Sequence, residues 1–98
     1  MPYMIETFDR AGSLDVRKAN RAEHLVYLDW IKHKLVACGA KLNDDGSDAG
    51  GGLYVVDVDT RADAEALIQD DPFHKVDLFE RVEIKPWRKA YLNGQSYL

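Results

Sequence analysis

Arg21-Ala22-Glu23-His24-Leu25-Val26-Tyr27-Leu28-Asp29-Trp30-Ile31-Lys32-His33-Lys34-Leu35-Val36-Ala37-Cys38 is the stretch around which the chain is organised. Leu28, Ile31, Leu35 and Cys38 follow His24 at steps of four, three, four and three residues. At roughly 100° per residue, all four fall within about 40° of His24 around a helix axis. The spacing predicts a helix from about Arg21 to Cys38, fed by a short lead-in from Asp15 and stopped by Gly39 at its C-cap. His33 falls on the opposite, solvated side. A titratable imidazole in line with an apolar stripe needs a hydrogen-bond partner or a chemical task. The expected partner is Asp71 and the expected task is proton transfer in a small pocket.

Working outward, Tyr3 to Phe8 is rich in β-formers and reads as the first strand. Ala40 to Leu42 is a candidate short second strand. Asn43 to Gly52 is polar and glycine-rich, and reads as a mobile hairpin connection. Leu53 to Asp59 alternates as a strand. Thr60 then caps a second helix, with Asp63 completing a Thr-x-x-Asp capping box. Ala64, Leu67, Ile68 and Asp71 keep the i, i+3, i+4, i+7 spacing, so Asp71 is expected to close the buried stripe of that helix before Pro72 ends it. Phe73 to Asp77 reads as a turn and Leu78 to Trp87 as the last strand. Residues 88–98 form a tail whose Tyr91, Tyr97 and Leu98 are expected to pack on something, with a second chain as the candidate.

The order strand, helix, strand, strand, helix, strand is that of an α+β, ferredoxin-like fold, with two helices on one face of an antiparallel sheet. No helix is left to cover the other face, so a two-fold homodimer is expected, with a higher oligomer as the alternative. The chain, residues 1–98, reads as one domain. Its 17 acidic against 13 basic residues give a net charge of −4, which disfavours nucleic acid and anionic membrane as partners. No apolar run approaches the length of a membrane span, and the N-terminus lacks the features of a signal peptide. Cys38 is the only cysteine and reads as a buried apolar residue in a reducing compartment, so a cytoplasmic location is expected.

Four motifs, taken in order, carry a resemblance. They are Arg21-x-x-His24-Leu25, Gly51-Gly52-Leu53-Tyr54-Val55-Val56, Asp71-Pro72-Phe73 and Val82-Glu83-Ile84-Lys85-Pro86-Trp87. Together they resemble the YciI-like (YCII-related) family of the dimeric α+β-barrel superfamily, from Tyr3 to Trp87. The resemblance implies a homodimer whose two sheets meet as a barrel, and a pocket holding a histidine–aspartate pair at His24 and Asp71. The wider superfamily it implies includes lyases, isomerases and cofactor-free oxygenases acting on small, often aromatic, molecules. Cys38-Gly39-Ala40-Lys41-Leu42 and the acidic loop after it depart from the longer Gly-Pro segment common in relatives, and this loop borders the expected pocket.

A carboxylate accepting from one imidazole nitrogen fixes the tautomer and makes the other nitrogen the better base. His24 and Asp71 are therefore the expected catalytic pair of a cofactor-independent lyase or isomerase acting on an unidentified small molecule. The alternative is a non-catalytic dimeric module, binding a small molecule or a protein, in which the pair only pins two helices together. Arg21, one turn before His24, is positioned to hold a substrate carboxylate or to form an ordinary ion pair. Tyr3, Tyr54, Phe73 and Trp87 are candidate pocket walls, with core or dimer interface as their other assignment. No metal is expected. His24, Asp71 and His74 would be the only set, and no His-x-x-x-His or Cys-x-x-Cys spacing supports it. Gly50-Gly51-Gly52 lacks the helix and lysine of a phosphate loop and reads as hairpin flexibility. Cys38 lacks a nearby activator for a nucleophilic role.

Overall fold

A computed structural model describes all residues, 1–98, and its sheet settles the arrangement first. Strand β1 (Tyr3–Asp9) lies between β3 (Asp48–Val56) and β4 (Phe79–Pro86), with β2 (Leu35–Leu42) outside β3, in the order β2-β3-β1-β4, all antiparallel. Helices α1 (Leu14–Trp30) and α2 (Arg61–Gln69) and a short α3 (Pro72–Lys75) complete the expected α+β pattern. No helix is long and apolar enough to cross a membrane.

Strand alternation decides which side chains meet the helices. Ile5 pairs with Tyr54 and Tyr3 with Val56, so these residues share one face. There Ile5, Tyr54 and Val56 bury against Ala64, Leu67 and Ile68 of α2, with Ile31, Phe73, Leu78 and Phe79 closing the same cluster. Helix α2 follows the sequence closely: Thr60 Oγ1 accepts from the Asp63 N–H, and Ala64, Leu67 and Ile68 are its buried positions. The other face carries Phe8 between Lys41 (3.8 Å) and Arg81 (3.9 Å), with Lys41 also 3.2 Å from Glu6. No helix of this chain covers it.

Several expectations are corrected. Helix α1 begins seven residues earlier than expected and ends at Trp30, followed by one 3₁₀ turn, Lys32–Lys34. Leu35 and Cys38 therefore leave the helical stripe for the edge strand, and Gly39 lies within β2 opposite Leu53 rather than at a helix cap. Leu35 and Ala37 pair instead with Val56 and Val55 of β3, with Val36 at a shift of register between them. Pairing of strands overrides a spacing that fitted both structures.

Gly50-Gly51-Gly52 is likewise not loop. The turn is confined to Asn43–Ser47, and Asp48 onward already pairs. Gly51 has φ +149°, and a Cβ there would collide with the Thr7 carbonyl; at Gly52 a Cβ would lie 2.9 Å from the Gly39 carbonyl. These glycines serve close strand approach, not flexibility.

Asp71 does not close the stripe of α2, which stops at Gln69 with Asp70 as its C-cap. Pro72 holds Asp71 in an extended conformation (φ −64°, ψ 131°), where it becomes the N-cap of α3 and accepts from the Phe73 N–H. Segment 73–77, expected as a turn, is largely this helix. The tail folds back as a hairpin, β5 (Tyr91–Leu92) with β6 (Gln95–Ser96), through Asn93 and Gly94 at φ 52° and 76°. Asn-Gly at those angles is a standard hairpin turn.

Candidate functional site

Helix α1 lies over the strands near β2, and between them is a cavity of about 180 Å³. Its helix wall is Arg17, Arg21, His24, Leu25 and Leu28; its floor is Cys38, Gly39 and Ala40 of β2 with Gly52 and Tyr54 of β3; Phe73 closes one end. The floor has room because of its small residues. Cys38 pairs with Tyr54 and Ala40 with Gly52, so Cys38, Ala40 and the bare Gly52 all present little bulk to the helix side.

His24 and Asp71, 47 residues apart, do meet. His24 Nδ1 is 2.9 Å from both Asp71 oxygens. The Asp71 side chain is fully buried, whereas 12% of the His24 side chain remains exposed. Asp71 Oδ2 also accepts from Tyr54 Oη–H at 2.8 Å, and Oδ1 accepts from the Phe73 N–H at 2.9 Å. With three donors converging on it, the buried carboxylate is satisfied, and no buried side-chain nitrogen or oxygen lacks a partner. An acceptor at Nδ1 places the ring proton there, which leaves Nε2 with a free lone pair and no protein partner. The ring stacks on Phe73 with centroids 4.0 Å apart at 17°, which fixes its plane.

Burial and the Asp71 charge push the Tyr54 hydroxyl well above the usual phenol range, so Tyr54 stays a donor. Burial, reinforced by Asp71, raises the Cys38 thiol to about 11. Cys38, expected as a buried residue, is instead exposed on the edge strand, where it lines the cavity.

Arg17 was not singled out by sequence reasoning. Its Nε donates to Asp9 Oδ2 at 2.6 Å and its Nη2 to Asp9 Oδ1 at 3.1 Å, and its Cζ lies 4.7 Å from the Phe73 centroid. Burial works against the guanidinium charge, but the hydrogen bond and charge of Asp9 more than restore it. The signal was available: Arg17, Arg21, His24 and Leu28 follow each other at steps of four, three and four. Starting the stripe at Arg21 hid it.

Of the expected pocket residues, Arg21, Tyr54 and Phe73 line the cavity, with Arg21 exposed at its rim. Tyr3 and Trp87 do not. Tyr3 pairs with Val56 and Pro86, at the other end of the sheet, where it packs on the core. Trp87 borders a separate hollow with Pro2, Arg88 and Tyr97. His74 lies against Phe79 rather than with His24 and Asp71, and no cluster of three His, Cys, Asp or Glu side chains is placed to hold a metal.

Known proteins resemble this chain over nearly its whole length. It is 28% identical to Protein YciI of Escherichia coli O6:H1, and equally to that of Shigella flexneri, over 93% of this chain and 100% of theirs. The structure of 5-chloro-2-hydroxyhydroquinone dehydrochlorinase (TftG) from Burkholderia phenoliruptrix AC1100, in complex with 2,5-dihydroxybenzoquinone, superposes with a TM-score of 0.82 at 32% identity, covering 90% of this chain and 94% of that one. The YCII-related domain matches residues 1–88, with the histidine, the aspartate and every wall of the cavity inside the match, and the chain belongs to that family.

Proposed function

We propose that this protein is a cytoplasmic, cofactor-independent acid/base enzyme that carries out elimination or tautomerisation on a single-ring polyhydroxylated aromatic, with His24 as the proton carrier. One observation carries the reading: His24 presents a partner-free Nε2 to a cavity while its Nδ1 is anchored on a buried carboxylate. That arrangement prepares a base whose protonated form is stabilised as it forms. Size supports the substrate class. An apolar cavity of about 150 Å³ holds benzene, so about 180 Å³ has room for one substituted ring. The likeness to TftG, whose name gives a chlorinated hydroxyhydroquinone as substrate, points the same way.

In this scheme Nε2 takes a proton from a ring hydroxyl and returns it to the ring carbon bearing the leaving group, giving the keto tautomer. A halide then departs from that carbon as a second hydroxyl loses its proton, so the net loss is HX and no oxidant is required. Asp71 holds the imidazolium, Tyr54 and the Phe73 N–H hold Asp71, and Arg21 meets the substrate at the rim. The open sheet face, with Phe8 between two cations, is where we place a second protomer.

The competing reading is a binding module in which His24 and Asp71 only tie α1 to α3. The His24–Phe73 stack favours it. Chloride release from 5-chloro-2-hydroxyhydroquinone, followed for the native chain and for His24→Ala, separates the two. A drop of about 10²–10⁴-fold in a folded variant is expected. An unchanged rate in the variant, or no release by the native chain, overturns the proposal.

A further inference from the structure

We infer that Arg17 is the oxyanion contact of this cavity, holding through Nη1 the ring oxygen that His24 deprotonates, and that Asp9 is its positioning residue. The inference rests on the acid/base reading above and adds a residue and a charge state to it: the substrate is held as an anion once its proton has moved.

The geometry assigns the role by elimination among the five guanidinium donors. Asp9 engages Nε and Nη2 as a fork, which is the geometry that fixes a guanidinium plane. Nη1 has no protein partner. The side chain is only 9% exposed, it lines the cavity, and no buried side-chain nitrogen in the molecule is unsatisfied. The free arm therefore opens onto the cavity. Arg17 and His24 sit two turns apart on α1, and the Phe73 ring lies 4.7 Å from the guanidinium carbon and 4.0 Å from the imidazole centroid. Both groups thus rest against the same ring, and both line the cavity.

Charge balance gives the reason for a second arginine. With His24 neutral, Arg17 and Arg21 cancel Asp9 and Asp71, and the cavity suits an uncharged phenol. When the proton passes to Nε2 the protein side of the cavity becomes +1, and the substrate oxygen becomes −1. Arg17 is buried and pre-oriented where that charge develops, so it stabilises the anion more than the phenol. Arg21 is exposed and screened, which suits guiding the substrate in.

The test titrates 2,5-dihydroxybenzoquinone, an acidic ring, into the native chain, Arg17→Gln, Arg17→Lys and Asp9→Asn, and measures kcat and KM for chloride release in each. Arg17→Lys keeps a charge against Asp9 but lacks the second arm, so it tests the contact without stranding the carboxylate. Losing one charged hydrogen bond is expected to weaken probe binding about 10–100-fold in both Arg17 variants, with kcat falling more than KM rises. Asp9→Asn is expected to lower kcat with a smaller change in probe affinity. Native-like probe affinity and kcat in folded Arg17→Lys overturn the inference and leave the His24 reading standing. Absence of probe binding to the native chain overturns both.

Discussion

Asp71 and Asp9 are both buried carboxylates facing the same helix, and they are neutralised in opposite ways. Asp9 meets a permanent cation, Arg17, in a two-pronged pair with both side chains at least nine-tenths buried. Asp71 meets no permanent cation; its donors are a histidine, a phenol and a backbone N–H. The first arrangement joins a carboxylate to a guanidinium, which does not lose its proton in proteins. The second changes by one unit whenever His24 binds a proton. In the acid/base function proposed for this cavity, one pair would keep its charges while the other takes up and returns the proton.

That contrast makes predictions, and the largest concerns rate. His24→Ala is expected to cost about 10²–10⁴-fold in turnover while leaving a folded protein, because only the switchable pair is lost; steady-state kinetics beside circular dichroism check it. Next comes stability. Asp9→Asn strands a buried guanidinium and is expected to cost about 3–5 kcal/mol, whereas Asp71→Asn strands no charge and is expected to cost about 1–3 kcal/mol. Urea denaturation of the two variants would break the comparison if their order reversed. Tyr54→Phe removes one neutral donor from Asp71, with an expected loss of about 1 kcal/mol and a rate change well below that of His24→Ala.

The smallest effects lie in alkali. Cys38 has its thiol raised from 9.0 to about 11, so the folded chain keeps a proton that the unfolded chain has lost in this range. Stability from this source is full below pH 9 and is lost as pH rises through 11, because the unfolded state binds fewer protons there. Tyr27, partly buried with its hydroxyl donating to the Leu67 carbonyl, is raised from 10.0 to about 12 and adds a loss of the same sign between those values. Iodoacetamide labelling of Cys38 is expected to be slow at pH 8 and to climb about tenfold per pH unit towards pH 11, as the thiolate fraction does. Fast labelling at neutral pH would contradict a thiol held by burial.

The same division runs through what could be read from the chain. Local chemistry was legible: the Thr60 cap, the Ala64-Leu67-Ile68 face, the Pro72 break and the placing of His24 on an inward stripe all depend on neighbours a few residues away. The α+β order followed from them, and the family resemblance supplied the His24–Asp71 pairing. What misled was any stretch whose periodicity suited two structures. Leu35 and Cys38 fitted the helical spacing from His24, yet β3 offered them a ladder. Gly51 and Gly52 looked like slack until the Thr7 and Gly39 carbonyls were seen to lie where side chains would be. Tyr3 and Trp87 were assigned to the pocket by residue type, and strand register put them at the other end of the sheet.

By itself, then, the sequence determined the elements with strong local signals and the residue types able to carry a proton, since capping, proline geometry and hydrophobic spacing act over a turn or less. Only the tertiary structure decided that Arg17 belongs with His24, that Asp71 starts a helix rather than ending one, and that Cys38, Ala40 and Gly52 together leave a hollow. Those outcomes depend on which strands pair and on the volume left between a helix and a sheet, and neither quantity is written in any single stretch of the chain.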